Sequence, residues 1–305
     1  VNPLGTQLGV LTAKAADALG LRAGTPVAQG GIDAEHGMVG LNVLTPGRMS
    51  LTTGSSHVML GQAERPISGT GFWGAFTDAV MPGLFLVETS GVSTGSALNW
   101  FKDHFAHDVL LEAEQQGVSA YDLLNERSKD LPPGSDGLII NEYFQGNRTP
   151  YSDSKARGVI LGLTLSHRPH HLYRALQEAV CYGVALNLKS LAASGFVPTE
   201  MVMCGGATRS RDWVQMHADV TGVPIVLTEV GDAVALGSCV LAAAAAGVYD
   251  SVQDAAQAMV HEQETVQPRA EIHEQYVPLV RLYGKLYPAV HELQHELTDL
   301  TEARA

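Results

Sequence analysis

The chain has 305 residues, 45% of them hydrophobic, which supplies apolar material for one large or two smaller packed cores and excludes a disordered polymer. Its 32 acidic side chains against 19 basic ones leave a formal net charge of −13, so the phosphate attraction behind polynucleotide binding runs the wrong way. The longest apolar run, AVALGSCVLAAAAAGV, is too short and alanine-rich to span a bilayer, and no targeting pattern is read at the N-terminus.

The opening stretch, VNPLGTQLGVLTAKAADALGL, reads as a chain already under way, and an upstream part is expected. TPVAQGG then predicts a short strand and DAEHGMVGLNV a small-residue helix. GRMSLTTGSSHVMLGQ predicts two strands around a Gly-Ser turn, GLFLVETS a further strand, and TGSALNWFKDHF a helix with Leu98, Phe101 and Phe105 at helical spacing. A loop-rich middle follows. Ser166 is then placed to cap a long helix from Pro169 to Ser194, striped by Leu172, Leu176, Ala179, Val180, Gly183 and Leu186. MVMC, GGA, SRDWVQMHADVTG, PIVLTEV and DAVALGSCVLAAAAAG form a βαβα unit with Gly222 and Gly247 closing its helices, and the tail from Glu271 is helical. Strands alternating with helices give an α/β fold class. Cys181, Cys204 and Cys239 are too far apart for a CxxC pair, and their apolar surroundings predict packed, reduced thiols of a cytoplasmic protein.

Two short patterns offer chemistry. GTGFWG (Gly69 to Gly74) fits a dinucleotide fingerprint but lacks the strand before and the helix after that such a loop needs, so it reads as a turn. GVSTG (Gly91 to Gly95) fits a nucleophile elbow between a strand and a helix, with Ser93 as nucleophile and Asp232 and His261 as partners that would complete a serine hydrolase. The cluster His167, His170 and His171 has no second ligand group for a metal and reads as a polar first turn. Trp73, Trp100 and Trp213 read as packing residues.

A longer constellation is more specific. GGID with Asp33, LTTGSS with Thr53, Gly54 and Ser55, ETSGVSTGSALNW with Glu88 and Gly95, GNRTPYSDSKARGVILGLTL, and CGGATRSRDWVQMHADVTGVPI before EVGDAVALGSCVLAA occur in that order. Together they resemble the FGGY family of carbohydrate kinases over about residues 21–290, and GNRTP is closest to the pentulose-kinase, ribulokinase-like branch.

The resemblance implies the actin-like, ribonuclease-H-like ATPase fold, chiefly its C-terminal domain. Residues 1–43 would be the end of an N-terminal, sugar-binding domain that carries Asp33, and residues 44–305 the nucleotide-binding domain. It implies ATP-dependent phosphorylation of a sugar hydroxyl, most simply a pentulose such as ribulose, with ATP and Mg2+ as cofactors. The Mg2+ ligands and most sugar contacts would lie upstream, and the 305 residues alone are expected to be inactive. Asp33 matches the family's catalytic base; an aspartate that titrates near 4 is ionised at neutral pH and can take the hydroxyl proton. From spacing alone a helix N-cap is the commoner role for such an Asp. No GxxxxGK[ST] is present, so phosphates would be gripped by turns: Thr53, Gly54 and Ser55 at one, Gly205 and Gly206 at another, with Gly95 and Ala207 lining the same cleft. Glu88 matches a sugar-facing position and equally fits a structural strand-end acid; His36 reads as structural. The expected partners are the sugar and ATP, with room for a homodimer and none for nucleic acid or a membrane. A noncatalytic nucleotide-binding module of the same fold is the alternative, since fold alone does not set function.

Overall fold

The computed structural model describes residues 2–302. In chain order the elements are β1 (Gln7–Val10), α1 (Ala13–Leu19), β2 (Pro26–Ala28), α2 (Asp33–Gly40), β3 (Arg48–Thr53), β4 (His57–Ala63), β5 (Trp73–Thr77), β6 (Phe85–Gly91), α3 (Gly95–Phe105), α4 (His107–Gln116) and α5 (Ala120–Ser128). Then come β7 (Ile139–Asn141), β8 (Val159–Leu161), α6 (Pro169–Ala193), β9 (Glu200–Gly205), a 3-10 turn at Gly206–Arg209, α7 (Arg211–Thr221), β10 (Ile225–Thr228), α8 (Ala233–Ala245), α9 (Val252–Met259), β11 (Glu262–Val266) and α10 (Ala270–Glu302).

Seven strands form one mixed sheet in the order β11-β10-β9-β3-β4-β6-β5. The β3, β4 and β6 strands run as an antiparallel meander, whereas β9 lies parallel to β3 and β10 parallel to β9. Alternation with period two sends successive side chains to opposite faces. Met49, Leu51, Met59, Met201, Met203, Ile225 and Leu227 enter one core, under α3, α6 and α7. Leu60, Leu86, Val202, Cys204 and Val226 enter the other, with Met38 and Val39 of α2 and Val240 and Leu241 of α8. Strands with both faces covered read as near-continuous apolar runs, which is why MVMC and PIVLTEV were legible.

Several expectations are corrected. The helix α6 begins at Pro169 as expected, but Ser166 does not cap it: its hydroxyl bonds to Thr164, and the His171 ring accepts the Arg168 N–H at 3.0 Å instead. The segment read as loop after Phe105 contains α4 and α5; Gly117 in the left-handed conformation ends the first and the Ser119 hydroxyl caps the second. Cys181 and Cys204 are buried, but Cys239 is exposed, because α8 turns only one face to the core. Among the described residues no helix is long and apolar enough to cross a membrane.

His217 of α7 is fully buried; its Nδ1 bonds to the Trp213 carbonyl at 2.8 Å, while Nε2 has no partner among the described residues. Burial pushes its pKa down from 6.5 to about 4, with the carbonyl bond pulling weakly the other way. A histidine kept neutral by the fold contributes stability that is lost as pH falls below the unfolded value, because the unfolded chain takes the proton first. His217→Gln should therefore be less stable than the wild type at pH 7, and the gap should close by about 1.4 kcal/mol per pH unit below 6.5. Urea unfolding at pH 7, 6 and 5 measures this; a constant gap would contradict it.

Candidate active site

The strands β3 and β9 end side by side, with Thr53 paired to Gly205. The Thr53 hydroxyl donates to the Cys204 carbonyl at 2.8 Å and accepts the Ala207 N–H at 3.2 Å, which turns the chain into the Gly206–Arg209 turn. Gly205 has φ +93, and a Cβ built on it would lie 2.0 Å from the Thr53 carbonyl oxygen. Gly206 is different: its Cβ would clear that oxygen by 3.9 Å.

Beside this junction the β3–β4 turn is closed by the Gly54 N–H on the Ser56 carbonyl at 2.7 Å. The loop before α3 docks onto it. The Gly95 N–H donates to the Gly54 carbonyl at 3.0 Å, and the N–H groups of Thr94 and Ser96 donate to the Ser55 carbonyl at 2.9 and 3.1 Å. Underneath, His57 Nδ1 bonds to Thr94 Oγ1 at 2.9 Å. Burial holds the His57 pKa down at about 3, so the ring is neutral at any working pH.

These turns floor a cavity of about 440 Å³, within the range of small-ligand sites. Thr53, Gly54, Gly95, Gly206 and Ala207 line it, whereas Gly205 and exposed Ser55 adjoin these residues in sequence without lining it. The Thr53 hydroxyl is committed to the strand junction, so it is the backbone of this turn that faces the cavity. The opposite wall comes from residues that motif reading missed. Tyr121 and Asn125 stand on α5, Tyr173 on α6, Arg209 at the end of the 3-10 turn and Trp213 in the first turn of α7. Asn125 Oδ1 accepts the Tyr173 hydroxyl at 2.9 Å and Gln177 Nε2 at 3.3 Å. An amide so fixed turns its NH2 away from these donors. The sequence marks this wall only through Arg209 inside GGATRS and Trp213 just after it, since Tyr121 and Asn125 lie in a stretch that reads as loop.

Asp33 opens α2 as its first helical residue and is exposed; Oδ1 accepts the Ala34 N–H at 2.8 Å. The cap weighed for it falls to Glu35, whose Oε2 accepts the Ile32 N–H at 3.0 Å. His36 Nε2 accepts the Gly31 N–H at 2.9 Å and its Nδ1 bonds to Ser238 Oγ of α8 at 2.8 Å, tying the glycine turn before Asp33 to a second helix. A Cβ on Gly37 would lie 3.7 Å from Thr52 Oγ1, which sets the first turns of α2 beside the end of β3. Glu88 on β6 is half-buried. Burial raises its pKa, with the Arg148 charge opposing and the Glu35 charge adding to the rise. The acids of α2 and β6 therefore sense each other.

Other candidates are not brought together. Ser93 Oγ is buried with no partner among the described residues, His57 is spent on Thr94, and Asp232 caps α8 by accepting the Ala235 N–H at 3.1 Å. No hydrolase triad assembles, because a nucleophile needs a bonded base. Gly69 and Gly71 pack on Ser194 and on Pro150 and Ser190, as turn residues. Among the described residues no group of three or more His, Cys, Asp or Glu could hold a metal ion. Trp213 is buried, but Trp73 and Trp100 are 42% and 43% exposed, against the packing role expected of them.

The two adjacent glycines should respond differently to one added methyl. Gly205→Ala should destabilise by about 2–3 kcal/mol, since it combines a positive φ with a backbone collision. Gly206→Ala should stay within about 0.5 kcal/mol. Thermal or urea unfolding of the two variants checks this, and equal effects would contradict the junction as described.

The sequence matches the C-terminal domain of the FGGY family of carbohydrate kinases over residues 49–246. It is 34% identical over 296 residues to a ribulokinase of Anoxybacillus flavithermus, covering 94% of this chain and 52% of that protein. Over 280 residues it is 32% identical to an autoinducer-2 kinase of Escherichia coli, covering 90% and 52%. The xylulose kinase structure from Rhodospirillum rubrum superposes with a TM-score of 0.79 at 31% identity, covering 97% of this chain and 58% of that one. The chain spans about half the length of the curated relatives it matches. Its fold is the actin-like ATPase fold of these kinases, and the chain belongs to the FGGY family of carbohydrate kinases.

Proposed function

We propose that this chain supplies the nucleotide-binding domain and the catalytic base of an ATP-dependent kinase that phosphorylates a hydroxyl of a pentulose. Residues 1–43 would close one lobe of that enzyme and residues 44–305 form the other, in the reducing cytoplasm. The observation that carries this reading is the backbone-floored cavity at the ends of β3 and β9, with exposed Asp33 held beside β3 by α2.

The residues fit a nucleotide. Turns at Gly54, Gly95 and Gly206 let main chain come close to phosphates, and Tyr121, Tyr173 and Trp213 offer flat walls to a base. Arg209 adds a positive charge at the same cavity. Bound ATP supplies the phosphoryl group; among the described residues no group of three or more His, Cys, Asp or Glu could hold Mg2+, whose protein ligands would lie upstream, beside the phosphates. Asp33 accepts the proton of the attacking hydroxyl as the bond to phosphorus forms. With Oδ1 engaged by the Ala34 N–H, Oδ2 is the oxygen left to take that proton. Glu88 faces the acceptor.

In the full-length protein, Asp33→Asn should lower kcat by about a hundredfold to ten-thousandfold while leaving ATP affinity unchanged, because the amide keeps the shape but cannot take the proton. Gly206→Trp should fill the cavity wall and weaken ATP binding instead. Coupled turnover assays and calorimetry separate the two; an Asp33→Asn enzyme with near-full turnover would sink the assignment of the base.

A further inference from the structure

An edge-strand tryptophan that was expected in a core stands instead in solvent. Trp73 on β5 is 42% exposed and is the direct cross-strand partner of Glu88 on β6, a position that brings two side chains into contact range on one face. The Arg148 guanidinium, from the GNRTP loop, lies 5.8 Å from the centroid of the Trp73 ring. It forms no ion pair within 4 Å among the described residues, which leaves the guanidinium over the indole face. The loop itself is tied down: Asn147 Nδ2 donates to the Thr149 carbonyl at 2.8 Å, and the Thr149 hydroxyl bonds into β6 at the Ser90 carbonyl at 2.5 Å.

Glu88 connects this patch to the proposed base. It senses the charges of both Arg148 and Glu35, and Glu35 shares the first turn of α2 with Asp33. Glu88 is also the cross-strand partner of Leu60, which packs in one core with Met38 of α2, so a flat apolar ring, a donor-only guanidinium and a carboxyl lie on the face of the sheet that α2 covers.

We propose that Trp73 and Arg148 are acceptor-reading residues that, with Glu88, form a platform for an uncharged polyhydroxylated chain. The C–H face of the acceptor lies on the indole, and its hydroxyls are shared between the guanidinium and the carboxyl. Charge decides the class of acceptor. Asp33, Glu35 and Glu88 outnumber Arg148 three to one, which disfavours a sugar acid and favours a neutral ketose or polyol. The inference rests on the kinase reading for the acceptor's destination but not for its recognition.

The test uses the full-length protein, with L-ribulose and D-xylulose as neutral probes and D-gluconate as the charged one, read by calorimetry and by turnover. Trp73→Ala and Arg148→Gln should each raise Kd and KM for the preferred ketopentose about tenfold or more, with ATP affinity within about twofold of wild type. Trp73→Phe should retain most of the affinity, since it keeps a ring. Both positions are exposed, and circular dichroism of the variants confirms folding. Ketopentose binding unchanged in both variants overturns the inference and leaves the kinase reading standing, as does gluconate binding tighter than either ketopentose. Binding that the variants lose, with no phosphorylated product from the wild type, upholds the platform and removes the kinase. Neither binding nor turnover of any probe overturns both.

Discussion

The architecture of the site depends on one backbone contact, the approach of Gly205 to the carbonyl of Thr53. At 2.0 Å from a virtual Cβ, the two chains are closer than any side chain permits. That clearance sets the direction in which the chain leaves β9, and so where the Gly206–Arg209 turn and α7 begin. The same junction consumes the Thr53 hydroxyl, which bonds on both sides of Gly205. The cavity floor is therefore made of main chain. A floor of this kind can present N–H groups to an anion without a side chain between, as a P-loop does by a different construction.

A second close approach fixes α2, the helix that Asp33 opens. A Cβ on Gly40 would sit 1.9 Å from the Ala233 carbonyl, and one on Gly237 would sit 1.8 Å from the His36 carbonyl. The helices α2 and α8 thus meet backbone to backbone, and His36 reaches across that contact to Ser238. Packing of this kind leaves little freedom for α2 to slide, because interiors are close-packed and transmit displacement. The position of Asp33 is consequently set by α8, some two hundred residues later in the chain.

The wall opposite is held by buried polar groups. Glu178 of α6 has no solvent exposure and accepts the Gly134 N–H at 3.1 Å, the Ser135 hydroxyl at 3.0 Å and the Tyr276 hydroxyl at 3.1 Å, with Arg174 alongside at 3.3 Å. Further along, burial pushes the Glu142 carboxyl up to about 8, and the Tyr283 hydroxyl bonds to it at 2.8 Å. Buried polar groups of this sort specify one arrangement when they are satisfied and are costly when they are not. They lock α6 to α10 and to the loop before β7, and α6 carries Tyr173 to the cavity.

Local signals alone determined much of this. Apolar runs flanked by glycine marked β9 and β10, the alternation around Gly54 marked β3 and β4, and Gly222 and Gly247 marked helix ends where the structure has both glycines in the left-handed conformation. The ordered motifs from Asp33 to Gly206 were enough to identify the family. The misses share one cause. The helices α4 and α5 have weak apolar stripes, and β5 and β11 are short, exposed strands, so their existence depends on what they pack against. Asn125, Tyr173 and Arg209 could not be read as one wall because they are far apart in the chain and meet only where α5, α6 and the turn before α7 come together. Trp73 was misplaced for the same reason: an aromatic residue carries no local mark of whether its neighbours will cover it. Composition and spacing decide which segments can pair or coil, whereas exposure, charge proximity and the convergence of distant side chains are properties of the assembled chain, decided only when the sheet and its helices close around them.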